Sequence, residues 1–373
     1  MRVLLPALVA ASPRTGVATY LRGLAGAWNL LDRPVPELDL VTAEAAAYDD
    51  LESGQALRVH PLSLFPPGAC GRIAALHLRI PALARRLGSD IVLSPNFISP
   101  LGGVGLPTAV VVQDLAFVHF ASTIPLARRL YYGGTVRASI RHASAVLVST
   151  RVMADEVAEF EPSVASRIRI APLGVSSSHL ATVPERTENH RGTHQGGLLC
   201  VGTLEPRKNL ARVLSAHGRL CRRFSAIPPL RLVGAAGWDE RAFAAALAEH
   251  PAPNRVIRLG FLPPSELAAE YRNARALIFC SLYEGFGLPV VEAMQHGCPV
   301  LCSRGTALAE VAGEAALLAA PDQVGDIEAG MLRLIEDDAL VDALAAAGRE
   351  RARQFTWERC ARRTIDALEE VVA

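Results

Sequence analysis

Residues 281–297 read Ser281-Leu-Tyr-Glu284-Gly-Phe-Gly-Leu-Pro289-Val-Val-Glu292-Ala-Met-Gln-His-Gly297, and their punctuation decides the fold. The run before them, Ala276–Cys280, is continuously apolar, as a strand buried on both faces should be. Gly285 and Gly287 then allow a tight turn and a close approach of backbone to a ligand. Pro289 suits the first turn of a helix and Gly297 its stop. The pattern predicts strand, loop and helix, with Glu284 on the loop at the carboxyl end of the strand and Glu292 in the first turn of the helix. The amides of Phe286, Gly287 and Leu288 fall just before a helix N-terminus, where an anion is favoured. The plainer reading of the same pattern is a strand-to-helix turn in which Glu292 only complements the helix dipole.

A second segment repeats the arrangement. Gly202-Thr203-Leu-Glu-Pro-Arg207-Lys208-Asn209 follows one apolar run and precedes a helical pattern, with Asn209 as the expected N-cap. Two adjacent cations there suit a diphosphate, whose departure they would stabilise. Lys208 is the only lysine of the chain; every other basic residue apart from the histidines is Arg. Arg replaces Lys on most surfaces but not where a compact point charge is needed, which singles Lys208 out.

Outward from these segments the alternation continues. Strands are expected at Val3–Val9, Leu38–Val41, Ile91–Leu93, Ala109–Val112, Ala145–Val148 and Ile168–Ile170. After a polar stretch with His179, His190 and His194, they resume at Leu198–Val201, Leu230–Val233, Val256–Leu259, Ala276–Cys280 and Val300–Cys302. Helical patterns lie between them, the first opening after Thr15, and a closing helix follows Thr356 with Trp357, Ala361, Ile365, Leu368 and Val372 at helical spacing. The fold class is α/β with two parallel-sheet, Rossmann-like domains: 1–176, a linker 177–197, 198–355, and a terminal helix 356–373. Ligands bind outside the carboxyl ends of such strands, and two domains facing each other would form a cleft. The first βα turn, Ser12 to Val17, lacks the G-x-G-x-x-G of dinucleotide binding.

Composition narrows the function. A net charge of +1 gives no reason to expect nucleic acid. Seven cysteines without C-x-x-C spacing read as reduced core thiols of a cytoplasmic protein, and the ten histidines show no ligand spacing, so no metal is expected. The apolar run after Met1-Arg2 is read as a first strand rather than a signal peptide, and none reaches the length of a membrane span. From Arg58 to Arg151, ten arginines face only Asp90 and Asp114. That stretch is expected to meet an anionic lipid or a phosphorylated acceptor, or else to be a set of solvated helix faces.

Together the two segments resemble glycosyltransferase family 4, the retaining family with two Rossmann-like domains known as the glycosyltransferase B fold. Its Glu-x7-Glu motif matches Glu284 and Glu292, and its basic phosphate pair matches Arg207 and Lys208. The likeness runs from Leu198 to about Trp357, and Glu284-Gly-Phe-Gly-Leu-Pro, Gly297-Cys-Pro-Val and Glu310-Val-Ala-Gly-Glu-Ala are similar to mannosyltransferase-like members. The resemblance implies a catalytic set of Glu284, Arg207 and Lys208 acting on a nucleotide sugar, with GDP-mannose the first expectation and a UDP-sugar the alternative. Glu284 would contact the donor sugar, Glu292 the ribose, and Phe261 and Leu262 the nucleobase. Gly16, Gly202, Thr203, Gly285, Phe286, Gly287 and Leu288 would approach sugar and phosphate. Asn96, Gln113, Asp114 and His119 are acceptor-side candidates. Gln113 stands where many relatives have His, and it cannot titrate. No metal or other cofactor is implied, because the cations do that work. The terminal helix would pack back on the N-terminal domain. The implied acceptor is a glycan or lipid-linked glycan, with peripheral contact at the inner face of the membrane through the Arg-rich domain. A glycan phosphorylase using pyridoxal phosphate would need a Schiff-base lysine, and the only lysine already has a role. A nucleotide-sugar epimerase and a non-catalytic sugar-nucleotide binder stay open.

Overall fold

The structure is a computed structural model that describes residues 1–8, 16–51, 56–101, 105–121, 126–175 and 196–373. It divides into two compact units, Met1–Gly174 with Thr356–Ala373, and Val175–Phe355. Thr15, the end of the first expected strand, and all of the expected linker except Gly196 and Gly197 lie outside the described residues.

The first unit alternates strands and helices. β1 (Arg2–Ala7), α1 (Gly16–Trp28), β2 (Glu37–Thr42) and β3 (Leu57–Pro61) come first. α2 (Ala69–Ala74) runs through a π-helical turn at Ala75–Arg79 into α3 (Ile80–Leu87), which leads to β4 (Ile91–Ser94). β5 (Thr108–Val112), α4 (Ala116–His119), α5 (Leu126–His142), β6 (Ala145–Val148), α6 (Arg151–Phe160) and β7 (Ile168–Ile170) complete the alternation. The sheet order is β3-β2-β1-β4-β5-β6-β7, with every pair parallel. Chain order reverses between β1 and β4, and the crevice outside their carboxyl ends is the binding position of a doubly wound sheet.

The second unit repeats the plan. Its elements are β8 (Leu198–Val201), α7 (Leu210–Arg223), β9 (Leu230–Val233), α8 (Glu240–Ala248), β10 (Val256–Gly260) and α9 (Pro264–Asn273). They continue with β11 (Ala276–Phe279), α10 (Leu288–Gln295), β12 (Val300–Ser303), α11 (Ala307–Ala312), β13 (Leu317–Ala319), α12 (Val324–Glu336) and α13 (Asp338–Ala352). The parallel order β10-β9-β8-β11-β12-β13 reverses between β8 and β11. Two strands were not expected from the sequence, and both are sheet edges. β3 interleaves Arg58 and His60 and ends on Pro61, as an edge strand that buries less can. β13 has only three residues, inside the short apolar run Ala315–Ala320.

The last helix, α14 (Trp357–Val372), belongs to the first unit, as expected. Thr356 caps it by accepting the Arg359 N–H at 3.2 Å. Its buried stripe of Cys360, Ala361, Ile365 and Leu368 faces α1. Gly23 makes the contact possible, because a Cβ there would lie 2.1 Å from the Trp357 ring. Tyr20 meets the same ring edge-on at 6.3 Å.

None of the seven cysteines is in a disulfide, and burial pushes Cys200, Cys302 and Cys360 up to about 12, so these three are inert core thiols, while Cys70 is exposed. Three metal-competent side chains, His217, Cys221 and His250, converge in the second unit. Their hydrogen bonds already close on themselves. His217 Nε2 donates to Pro228 O at 2.8 Å, and His250 Nδ1 accepts the Ala252 N–H at 3.1 Å. His250 Nε2 is therefore the donor to His217 Nδ1, 3.0 Å away. Ligation through His250 Nε2 would need the opposite tautomer and would set Nδ1–H against that amide.

Two outcomes follow from this packing. Gly23→Val should lower the melting temperature by driving a side chain into the Trp357 ring, at a cost of about 1–3 kcal/mol, read by thermal unfolding. Burial pushes His217 down from 6.5 to about 4, so the unfolded chain takes up that proton first as pH falls. The stabilisation is complete above pH 6.5 and drains away toward pH 4, by on the order of 3 kcal/mol in all. His217→Gln should flatten the slope of melting temperature against pH across that window.

Candidate functional site

The site in the second unit grows from the loops that leave β8 and β11, the two strands flanking the reversal. Gly202 follows β8 with φ 143°, and a Cβ there would lie 3.1 Å from Lys208 Cε. Glycine thus lets the lysine stem pass across the end of the strand. A single 3-10 turn, Pro206–Lys208, then presents both cations. Asn209 does not cap α7 with its side chain, contrary to expectation; it takes the left-handed conformation, φ 60°. Its Nδ2 donates instead to Cys280 O at 3.0 Å and Pro321 O at 2.6 Å, clamping the loop to the end of β11. The Leu282 N–H adds a bond to Arg207 O at 2.7 Å.

These tethers bring three charges together. Glu284 Oε1 accepts from Lys208 Nζ at 2.6 Å, and Oε2 accepts from Arg207 Nη1 at 2.7 Å. Arg207 Nε also donates to Glu205 Oε2 at 2.8 Å, and Lys208 Nζ lies 4.7 Å from the centre of the Phe279 ring. The Glu284 side chain is 9% exposed and that of Lys208 12%. Burial alone would raise the Glu284 pKa; Lys208, Arg207 and hydrogen bonds from Lys208 and Ser281 outweigh it and hold the group below the usual carboxylate range. Burial lowers the Lys208 ammonium and Arg207 adds to that, while Glu284 opposes them. Arg207 and Lys208 are balanced by Glu205 and Glu284, so Glu284 stands in the place an anionic ligand would claim.

α10 supplies the next wall. Gly287 precedes it with φ 94°, and a Cβ there would lie 2.2 Å from Leu308 Cδ2. Phe286 turns its ring into the core against Phe355, with centres 5.5 Å apart. Gly285, Phe286, Gly287 and Leu288 thereby lead backbone into a helix N-terminus with Pro289 in its first turn. Glu292 is the fifth residue of α10, so it lies in the second turn, not the first. It does not serve the helix dipole. Its Oε2 accepts from the Tyr271 hydroxyl at 2.8 Å, and burial raises its pKa against that bond. The Tyr271 ring stacks on His296 at 5.9 Å.

A small pocket at the same carboxyl edge is lined by Gly202, Lys208, Gly234, Arg258, Gly260 and Ser281. Thr203 is half-buried beside it, and beyond β10 Phe261 is exposed and Leu262 half-buried. Glu205 and Tyr271 were not singled out from sequence. Glu205 stands two residues before Arg207 and could have been read as its partner; Tyr271 reaches Glu292 from a different helix, and no local spacing marks it.

In the first unit, a Cβ on Gly16 would lie 4.0 Å from Gln113 Oε1, and Gln113 Nε2 donates to Pro95 O at 3.4 Å. Gly16, Asn96 and Gln113 thus gather at the carboxyl edge of the sheet. The other two candidates carry local bonds. Asp114 Oδ1 accepts the Ala116 N–H at 3.1 Å at the start of α4. His119 Nε2 lies 2.5 Å from Glu156 on α6.

With this geometry established, known proteins can be set beside it. A profile of the family described as Glycosyl transferases group 1 matches residues 185–351. The O-antigen chain mannosyltransferase B of Escherichia coli is 33% identical over 298 residues, 78% of this chain and 77% of that protein. The serotype-specific mannosyltransferase WbdA of the same organism is 27% identical over 242 residues, 62% of this chain but 29% of that longer protein. HepE of Anabaena, solved in complex with UDP-glucose, shares the fold with a TM-score of 0.72 at 18% identity, over 99% of this chain and 100% of that one.

Glu284→Ala would leave Lys208 without its carboxylate and Arg207 with Glu205 alone, which should cost on the order of 1–3 kcal/mol. Its melting temperature should fall, and inorganic pyrophosphate should restore more of it than the same addition gives the wild type. An equal response of the two proteins would contradict the balance of charge described here.

Proposed function

The chain belongs to the group 1 glycosyl transferases, and from that premise we propose that it transfers mannose from GDP-mannose to a glycan or lipid-linked acceptor, with retention at the anomeric carbon, in surface-polysaccharide synthesis. The observation that carries the reading is the partly buried Arg207–Glu284–Lys208 cluster beside the N-terminus of α10. The donor diphosphate takes over the two cations and the backbone amides of Phe286 to Leu288. Glu284, released from them, turns to the hydroxyls of the donor sugar. Glu292, held by Tyr271, meets the ribose, and the Phe261–Leu262 segment borders the base. Mannose is favoured by the Escherichia coli relative of 33% identity.

The chemistry needs no covalent intermediate. The acceptor hydroxyl approaches on the face from which the diphosphate leaves; the bond from the anomeric carbon to the phosphate oxygen breaks as that to the acceptor oxygen forms. The departing phosphate oxygen takes the acceptor's proton, so Gln113 can stand at a position that does not titrate. Arg207 and Lys208 stabilise the charge that develops on the leaving group, the work a metal ion would otherwise do. The acceptor side falls to the first unit, at Gly16, Asn96 and Gln113. Among the described residues no helix is long and apolar enough to cross a membrane. A lipid-linked acceptor would be reached by peripheral contact of the Arg-rich 58–151 stretch of the first unit with the inner face.

Thermal-shift titration with GDP, UDP, GDP-mannose and UDP-glucose tests the donor site. The GDP family should raise the melting temperature of the wild type and leave Lys208→Ala unmoved. A shift with UDP ligands alone would replace the donor, and no shift with any of them in folded protein would overturn the site. Turnover should survive EDTA. NMR of the product should show the donor's anomeric configuration kept; nucleotide sugar isomerised without an acceptor would mark an epimerase instead.

A further inference from the structure

The two carboxylates at α10 are held by partners of different kinds. Glu284 is held by cations, which an anionic ligand also claims. Glu292 is held by a neutral hydroxyl, since Tyr271 Oη donates to its Oε2 at 2.8 Å. That donor is out of a ligand's reach, because Tyr271 is 1% exposed. The Glu292 anchor therefore persists when a nucleotide arrives, whereas the Glu284 pairs are open to exchange.

The phenol is locked in place. It comes from α9, and its ring stacks on His296 with 14° between the planes. Burial, with Glu292 beside it, pushes its pKa well above the usual tyrosine value, so it stays a proton donor. At Glu292, burial opposes ionisation and the Tyr271 bond favours it. Glu292 is only half-buried, so its carboxylate can be reached from the site. Each carboxylate oxygen accepts two hydrogen bonds, so Oε2 can hold the phenol and a ligand hydroxyl at once.

Spacing says what that ligand group is. Glu292 stands four residues beyond Leu288, about 6 Å along the helix axis from its start. A ligand with phosphate at the helix N-terminus and hydroxyl donors one turn further on has the order of a nucleotide, phosphate then ribose. Two vicinal hydroxyls match the two oxygens of one carboxylate. A free glutamate side chain would lose rotamer freedom on meeting them; one already pinned by Tyr271 has lost it beforehand.

We propose that Tyr271 is a positioning residue for a ribonucleotide donor, its hydroxyl fixing Glu292 so that the carboxylate discriminates ribose from a sugar lacking the 2′ and 3′ hydroxyls. The inference rests on the reading above that Glu292 meets the ribose, and it adds what makes that carboxylate selective.

Calorimetric titration tests it with GDP and 2′,3′-dideoxy-GDP, and with the corresponding UDP pair run beside them, on the wild type, Tyr271→Phe and Glu292→Ala. The wild type should bind the ribonucleotide about tenfold or more tightly than the dideoxy analogue, and Glu292→Ala should abolish the difference. Tyr271→Phe keeps the ring and its stacking. It should lose about tenfold for the ribonucleotide and bind the dideoxy analogue like the wild type, and in turnover KM for the donor should rise with kcat unchanged. Equal weakening of both nucleotides in Tyr271→Phe would make Tyr271 a core side chain only and overturn the inference. So would a Tyr271→Phe protein that discriminates like the wild type while Glu292→Ala does not, leaving the ribose reading intact. Discrimination that survives Glu292→Ala, or its absence in the wild type, would remove the ribose reading and the inference with it.

Discussion

Everything at the site depends on one buried carboxylate held between two partly buried cations. Glu284 is fixed by Lys208 and Arg207 at 2.6 and 2.7 Å, and at its depth it could not stand unpaired without a desolvation cost. The surrounding backbone is arranged to permit the cluster. Gly202 clears the path of the lysine stem, and Asn209 binds the end of β11 instead of capping its own helix. On the proposed reading this balance of charge is an exchange: a diphosphate would take over the cations, and the carboxylate would turn to another part of the same ligand.

The two units use one architecture for different purposes. Both sheets are wholly parallel and reverse chain order once, which sets a binding crevice at the carboxyl edge of each. In the second unit that edge concentrates charge. In the first, Gly16, Asn96 and Gln113 bring polar groups to it without a comparable cluster of charge. A group transfer needs this division: one surface for an anionic leaving group, and one for a neutral hydroxyl carried on something larger. The terminal helix α14, seated on Gly23 through Trp357, is part of the first unit's core although its sequence follows the second.

Much of this was legible in the sequence, because the decisive signals are local. A continuous apolar run, two glycines, a proline and a terminal glycine are enough to place Glu284 at the end of β11. A single lysine among arginines points to Lys208. What was not legible depends on long-range contacts. Asn209 looks like a cap until Cys280 and Pro321 are brought beside it, and Tyr271 becomes the partner of Glu292 only through the packing of α9 on α10. β3 was missed because an edge strand needs no continuous apolar run, and β13 because its three residues make a run too short to mark a strand by itself. Helical spacing alone does not reveal that Leu126 and Leu130 point to solvent.

The most direct test is a crystal structure of the protein with bound GDP. The account predicts the diphosphate within hydrogen-bonding distance of both Arg207 and Lys208, at the N-terminus of α10, with the Glu284 carboxylate turned away from at least one of them. A nucleotide bound elsewhere, with both Glu284 ion pairs intact, would contradict it.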